Sequence, residues 1–151
     1  MAYNKKYAEL GESVIDYVNN REDAIKQGFD TLITGGTNSD GSWIKFPDGT
    51  MICWHNISLG DITSLGKGTW EDPYRTPASV NVWNFPMSFI SRPQVHAQLD
   101  NQIDTWHAKS AFVSFVRPGT HSVRGIQAIR PNGASTSAII DCSLIAIGRW
   151  K

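Results

Sequence analysis

Two periodicities divide this chain. Between Tyr3 and Leu32, a stretch without proline, Tyr3, Tyr7, Leu10, Val14, Tyr17, Arg21, Ala24 and Gly28 follow one another at alternating steps of four and three. Such steps place side chains on one stripe of an α-helix, where about 3.6 residues complete a turn. A second stripe (Leu10, Val14, Val18, Ile25, Phe29, Leu32) runs beside it. Six acids interleaved with Lys5, Lys6, Arg21 and Lys26 supply the solvated face. Arg21 and Gly28 interrupt the heptad seam, so the pattern fits either an amphipathic helix packed on its own domain or a short coiled coil. Thr34-Gly35-Gly36-Thr37-Asn38-Ser39-Asp40-Gly41 is dense in turn-forming residues and is expected to be a loop or linker. The boundary is therefore drawn between residues 1–36, a helical attachment segment, and residues 37–151.

Beyond Ser42 the period becomes that of strands. Trp43 to Phe46 and Thr50 to His55 flank Pro47-Asp48-Gly49. There proline presets φ and glycine takes the positive-φ position, which predicts a hairpin. Further strands are expected over Val80–Phe85, Gln94–Leu99, Ser110–Val116, Ser122–Ile129 and Ser137–Ile147, broken by Pro, Asn or Gly. Asn56 to Pro77 reads as one long, glycine-dotted connection, the kind of loop that tends to carry function. Six or seven short strands with no helix between them predict a mainly β fold, an antiparallel β-sandwich with an N-terminal α-helix. Ala111 to Val116 and Leu144 to Ile147 are apolar on both faces. A strand of that kind is usually covered on both faces, and a second subunit is the simplest cover, so a symmetric oligomer is expected.

Composition narrows the classes of function. Fourteen basic and fourteen acidic residues cancel, and only 19% of residues are charged. Nucleic acid is disfavoured as a partner, because phosphate binding needs clustered Lys and Arg. No run approaches the roughly 18 apolar residues of a membrane-spanning helix, and no signal peptide follows Met1, so neither membrane insertion nor export is expected. Cys53 and Cys142 lie within strands without a Cys-x-x-Cys and read as buried free thiols. Tryptophan is abundant, six residues in all, and supplies rigid apolar faces with one N–H donor to cores and binding surfaces alike.

Three stretches carry a resemblance to known proteins. Gly41-Ser42-Trp43-Ile44-Lys45-Phe46-Pro47-Asp48-Gly49-Thr50-Met51-Ile52-Cys53-Trp54 resembles the hairpin that opens the C-terminal receptor-binding domain of many phage tail fibres. Leu144-Ile145-Ala146-Ile147-Gly148-Arg149-Trp150-Lys151 is similar to the ending of the same domains. Between them, Val82 to Val95, with Phe85, Phe89, Pro93 and Val95 at the spacing F-x-x-x-F-x-x-x-P-x-V, resembles a signature of H-type lectins, small sugar-binding sandwiches that form trimers. The resemblance covers roughly Gly41 to Lys151. It implies a lectin-like sandwich, a homotrimer, a place on the virion tail, and attachment to a larger fibre or baseplate protein through the helix. The lectins' own sugar site does not carry over. Their Trp-His pair falls on Ile129-Arg130-Pro131-Asn132-Gly133, which has no aromatic residue, and an arginine they use falls near Ala111.

Catalytic constellations are weak. No Gly-x-Ser-x-Gly elbow occurs, and in Gly60-Asp61-Ile62-Thr63-Ser64 an isoleucine stands where an esterase-type block carries its nucleophile. His55, His96, His107 and His121 have no metal-ligand spacing, so no metal and no cofactor are expected. A glycosidase needs two carboxyls across a cleft, and the sequence offers Glu71 with Asp72, Asp100 or Asp104, all in expected loops. The chain is read as a non-enzyme.

Binding chemistry is better represented. An exposed aromatic ring covers the C–H face of a sugar while polar groups pair with its hydroxyls. Two loops hold both kinds of group: Trp70, Asp72, Tyr74 and Arg75 in one, Asp104, Trp106 and His107 in the other. Trp70 and Trp106 either anchor a ligand or plug the ends of the sandwich; Trp43, Trp54 and Trp83 are expected in the core or at subunit contacts. The sequence thus points to a receptor-binding module that recognises a host cell-surface glycan. A fibre or baseplate capping piece and a small glycan hydrolase are the alternatives.

Overall fold

A computed structural model describes residues 2–101, 111–131 and 136–151. The chain divides into two compact units, Met1–Thr34 and Gly35–Lys151. The first is a single helix, α1 (Ala2–Leu32), in which Val14, Ile15, Tyr17, Val18 and Ile25 are all exposed.

The second unit is antiparallel β, with β-strand pairs running in opposite directions throughout the described sheets. Its strands are β1 (Thr34–Asn38), β2 (Gly41–Lys45), β3 (Thr50–Asp61), β4 (Tyr74–Arg75), β5 (Val82–Asn84), β6 (Gln94–Asn101), β7 (Phe112–Ser114), β8 (Ser122–Arg124), β9 (Gln127–Arg130) and β10 (Ile139–Arg149). A five-stranded sheet has the order β1-β2-β3-β10-β6, and smaller sheets are formed by β4-β9-β7 and β5-β8. One core joins them: Met51, Cys53, Ile140, Cys142 and Leu144 of the large sheet cluster with Trp83, Val123 and Ala128 of the small ones. Trp83 is fully enclosed, and its indole N–H donates to the Asp40 carbonyl at 2.8 Å.

The expected hairpin forms as its turn chemistry dictates. Gly49 has φ +90°, the Asp48 carboxylate accepts from the Thr50 N–H at 2.8 Å, and Trp150 donates its indole N–H to Phe46 O at 3.0 Å. Hydrogen bonds from the Thr50 N–H and hydroxyl hold the Asp48 carboxyl below its usual range. The opening and closing stretches of the tail-fibre resemblance are therefore neighbours, running side by side from Asp61↔Ile139 to Thr50↔Arg149.

Two expectations need correction. The segment 34–41, expected as a linker, contributes β1 and the turn into β2, since Gly35 and Gly36 lie so close to Trp43 that an added Cβ would sit 2.9 Å from its carbonyl oxygen and 3.1 Å from its ring. The connection expected from Asn56 begins only after Asp61, because β3 continues with β10 across a bulge near Ile140. The mainly β, antiparallel fold with an N-terminal helix is as expected, and its described strands number ten because short and divided runs count separately. Two short strands stand at 74–75 and 34–38, and the run from Ser122 divides at Gly125, whose φ is +66°.

Register lays out the solvent-side face of the large sheet row by row. Ile44, Ile52 and Ile147 share the first row; Ser42, Trp54, Ile145 and His96 the second; Asn56, Ser143 and Gln98 the third; Ser58, Asp141 and Asp100 the fourth. One end of this face is apolar, with Trp54 and Ile145 each 44% exposed, and the other end is polar.

Candidate functional site

The connection from Ile62 to Asn81 carries the first expected binding loop, and its backbone explains the shape. Leu65 and Arg75 exchange both backbone hydrogen bonds, at 3.2 and 3.0 Å. Beyond them Asp72 O accepts from Lys67 N at 2.9 Å and from Thr69 N at 3.3 Å, and the Thr69 hydroxyl accepts from Asp72 N at 3.1 Å. The chain doubles back tightly, and Trp70 and Glu71 stand at the tip. Trp70 is 74% exposed.

Below the tip the residues serve the loop itself. The Arg75 guanidinium donates to the Asp72 carboxylate and to Pro73 O, each at 3.1 Å. Tyr74 packs against the core with the Arg130 guanidinium 5.1 Å from its ring centre. On another side Gly68, at φ +72°, lies so close that a Cβ there would be 2.1 Å from the Tyr74 ring. Tyr74 is therefore held within the loop's base, while Asp72 and Arg75 form a half-exposed ion pair beneath Trp70. The second expected loop, with Asp104, Trp106 and His107, lies outside the described residues.

The carboxyls considered as a hydrolytic pair are dispersed in role. Glu71 is exposed at the tip, Asp72 is paired with Arg75, and Asp100 lies in β6 on the outer face of the large sheet. Cys53 and Cys142 are buried and free, and burial pushes both thiols up to about 11. Among the described residues no cluster of three or more His, Cys, Asp or Glu side chains could hold a metal ion. No helix there is long and apolar enough to cross a membrane.

Two concavities were not foreseen. One of about 270 Å³ sits on the polar end of the sheet face, lined by Asn56, Ser58, Asp100, Asp141 and Ser143. Strict alternation along β3 and β10 puts these side chains together, but the pairing of the two strands is not written in either alone. The other, of about 510 Å³, lies beside the connection from β7 to β8, with Arg117, His121 and Arg124 on its wall. Its signal was present as charge: after Asp104 the sequence has six Lys or Arg and a single acid, Asp141.

No protein family description matches this chain, and no characterised protein matches it by sequence. Solved structures do. A C-terminal fragment of the P. aeruginosa R1 pyocin fibre is similar over 77% of the chain at 18% identity, with a TM-score of 0.51. The chain spans 28% of that fragment's length. An N-truncated R1-type pyocin tail fibre is similar over 77% of this chain and 84% of its own, at 18% identity and a TM-score of 0.50. At that identity the likeness is one of fold.

Proposed function

We propose that this chain is the receptor-binding domain of a phage or phage-derived tail fibre, recognising a host cell-surface glycan without catalysis. The observation that carries the reading is Trp70, a bare indole on a tip braced by backbone hydrogen bonds and by the Asp72–Arg75 pair. A large exposed aromatic face beside paired polar groups suits the apolar face and hydroxyl edge of a sugar. The fold it stands on is shared with the pyocin tail fibre fragments. Receptor contacts on loops over a rigid β frame follow the ordinary division of labour.

The domain works as a homotrimer. Trp54, Ile145 and Ile147 form an exposed apolar patch with the half-buried Ile44 and Ile52, and patches of that kind mark protein contacts. The number three comes from the lectin-like resemblance. Exposed Val14, Tyr17, Val18 and Ile25 on α1 favour an assembly role for the helix, joining a larger fibre or baseplate protein.

The test is binding of the full chain to an array of bacterial surface polysaccharides, beside the Trp70→Ala variant. Binding to a defined set, weakened about tenfold in the variant as a lost stacking contact requires, supports the reading. Release of reducing ends without retention would make the protein a hydrolase instead, and a blank array would leave it a capping piece.

A further inference from the structure

The cavity beside the β7–β8 connection is built, not incidental. Val116 N donates to Arg124 O at 2.9 Å and Gly119 N to Ser122 O at 2.9 Å, which closes the turn. The turn is then tied to the core: Phe85 N donates to His121 O at 2.8 Å and Phe89 N to Thr120 O at 2.9 Å. Those two phenylalanines are buried and stack edge to face, 5.1 Å between centres. The segment thus presents its side chains from a fixed backbone.

Those side chains have one electrostatic sense. Arg117, Arg124 and His121 line the cavity with Thr120 and Ser122, and no carboxylate does. Among the described residues neither arginine forms an ion pair or side-chain hydrogen bond; the ion pair there is Arg75 with Asp72. The Thr120 hydroxyl and His121 Nδ1 share a hydrogen bond of 2.7 Å, leaving Nε2 for another partner. Val116, 62% exposed, adds an apolar edge. Two guanidiniums, an imidazole and two hydroxyls around a hollow form a donor-rich pocket for an oxyanion. The apolar edge suits the carbon skeleton that bears it.

We propose that this cavity is an anion subsite that takes a phosphate or carboxylate substituent on the receptor glycan. The proposal rests on the glycan-binding reading and adds the charge of its ligand. A nucleic acid backbone is a poorer fit, since it requires a track of basic residues rather than one hollow.

The test is an amide chemical-shift titration of the full chain with glucose 1-phosphate, glucuronate and glucose. The two anionic sugars should shift the amides of residues 117–124, glucose should not, and the stronger of the two names the substituent. Raising salt from about 0.05 to 0.5 M should weaken the effect, as screening demands. Arg117→Ala with Arg124→Ala should weaken binding about tenfold or more. The Lys-for-Arg pair should keep part of the affinity and guards against misreading a folding defect. Shifts that are equal for glucose, or that persist in the double alanine variant, overturn the proposal. So does wild-type binding to a defined set of polysaccharides that the double alanine variant retains in full, although the receptor reading then stands. Anionic shifts that vanish in the alanine pair uphold the subsite even where the array is blank, and only the receptor reading falls.

Discussion

Toward its C-terminal end β10 is apolar on both faces, and the two faces have opposite fates. Ile140, Cys142, Leu144 and Ala146 point inward and are at most 1% exposed. Ile139, Ile145 and Ile147, which alternate to the other face, are 40–50% exposed. The difference lies in what else the chain has to offer. Inward, β5, β8 and β9 bring Trp83, Val123 and Ala128 to close the core. Outward, nothing among the described residues closes over Trp54 or Ile145. An apolar residue is thus evidence of a cover only when the rest of the fold is known, and here one face is closed internally while the other stays exposed among the described residues.

Truncating adjacent residues of β10 exposes that contrast with the largest effect. Leu144→Ala removes a fully enclosed side chain and should cost about 2–5 kcal/mol, read as a lowered denaturation midpoint. Ile145→Ala should cost the isolated subunit less than about 1 kcal/mol. Equal losses would show that both faces are closed within one chain, and the comparison would collapse.

The same face is the proposed subunit contact. Wild-type protein should scatter light as a multiple of its 16.7 kDa mass, three-fold by the lectin-like resemblance. Ile145→Asp should return it to monomer with its β circular dichroism intact, because a charge is placed where apolar surface is to be buried. A wild type that remains monomeric at micromolar concentration ends the argument for an external cover.

A third contrast separates helix from sandwich. Among the described residues, every member of the buried core falls between Met51 and Ala146. Deleting residues 1–33 should therefore leave a folded β unit, with a midpoint shifted by no more than about 1 kcal/mol. Loss of the β spectrum on truncation would assign α1 to the core.

How far the sequence could be read follows the same division. Period alone located α1, the Pro47-Asp48-Gly49 hairpin and most strands, since helix, strand and turn chemistry are local. It failed where pairing is non-local. Gly35 and Gly36 look like a linker until Trp43 lies against them, and β3 looks finished at His55 until β10 runs alongside to Asp61. The site shows the same limit. Trp70 was visible as a loop aromatic. The fixing of Tyr74 by Arg130 depends on a strand distant in sequence, and the meeting of Arg117 with Arg124 depends on how the turn between them closes.

The thiols offer a smaller measure of how tightly the inner face is sealed. Burial keeps Cys53 and Cys142 protonated well above their ordinary value, to about 11. Above pH 9 the unfolded chain releases these protons while the folded chain retains them. The unfolded state then binds fewer protons, and stability falls as pH rises. Both thiols should resist alkylation at pH 8 and react once denatured. Prompt reaction in the native protein would show an inner face that opens.

The smallest stability effect is expected at Trp70, and its neighbour Gly68 supplies the control. Both lie in the same doubled-back loop, one at its tip and one beneath the Tyr74 ring. Trp70→Ala removes a ring that is 74% exposed and makes no side-chain hydrogen bond among the described residues, so the denaturation midpoint should move by less than about 0.5 kcal/mol. Gly68→Ala asks an L side chain to adopt φ +72° and to occupy space held by the Tyr74 ring, 2.1 Å away. Relief requires the ring to leave its place beside Arg130, and the cost should exceed about 1 kcal/mol. Glycan affinity should rank the other way per unit of folded protein. Trp70→Ala loses the stacking face itself, about tenfold, whereas Gly68→Ala disturbs only the base that carries it. A Trp70→Ala protein that melts early but binds fully would make the tip a structural plug and move the search for the receptor site to the outer face of the large sheet.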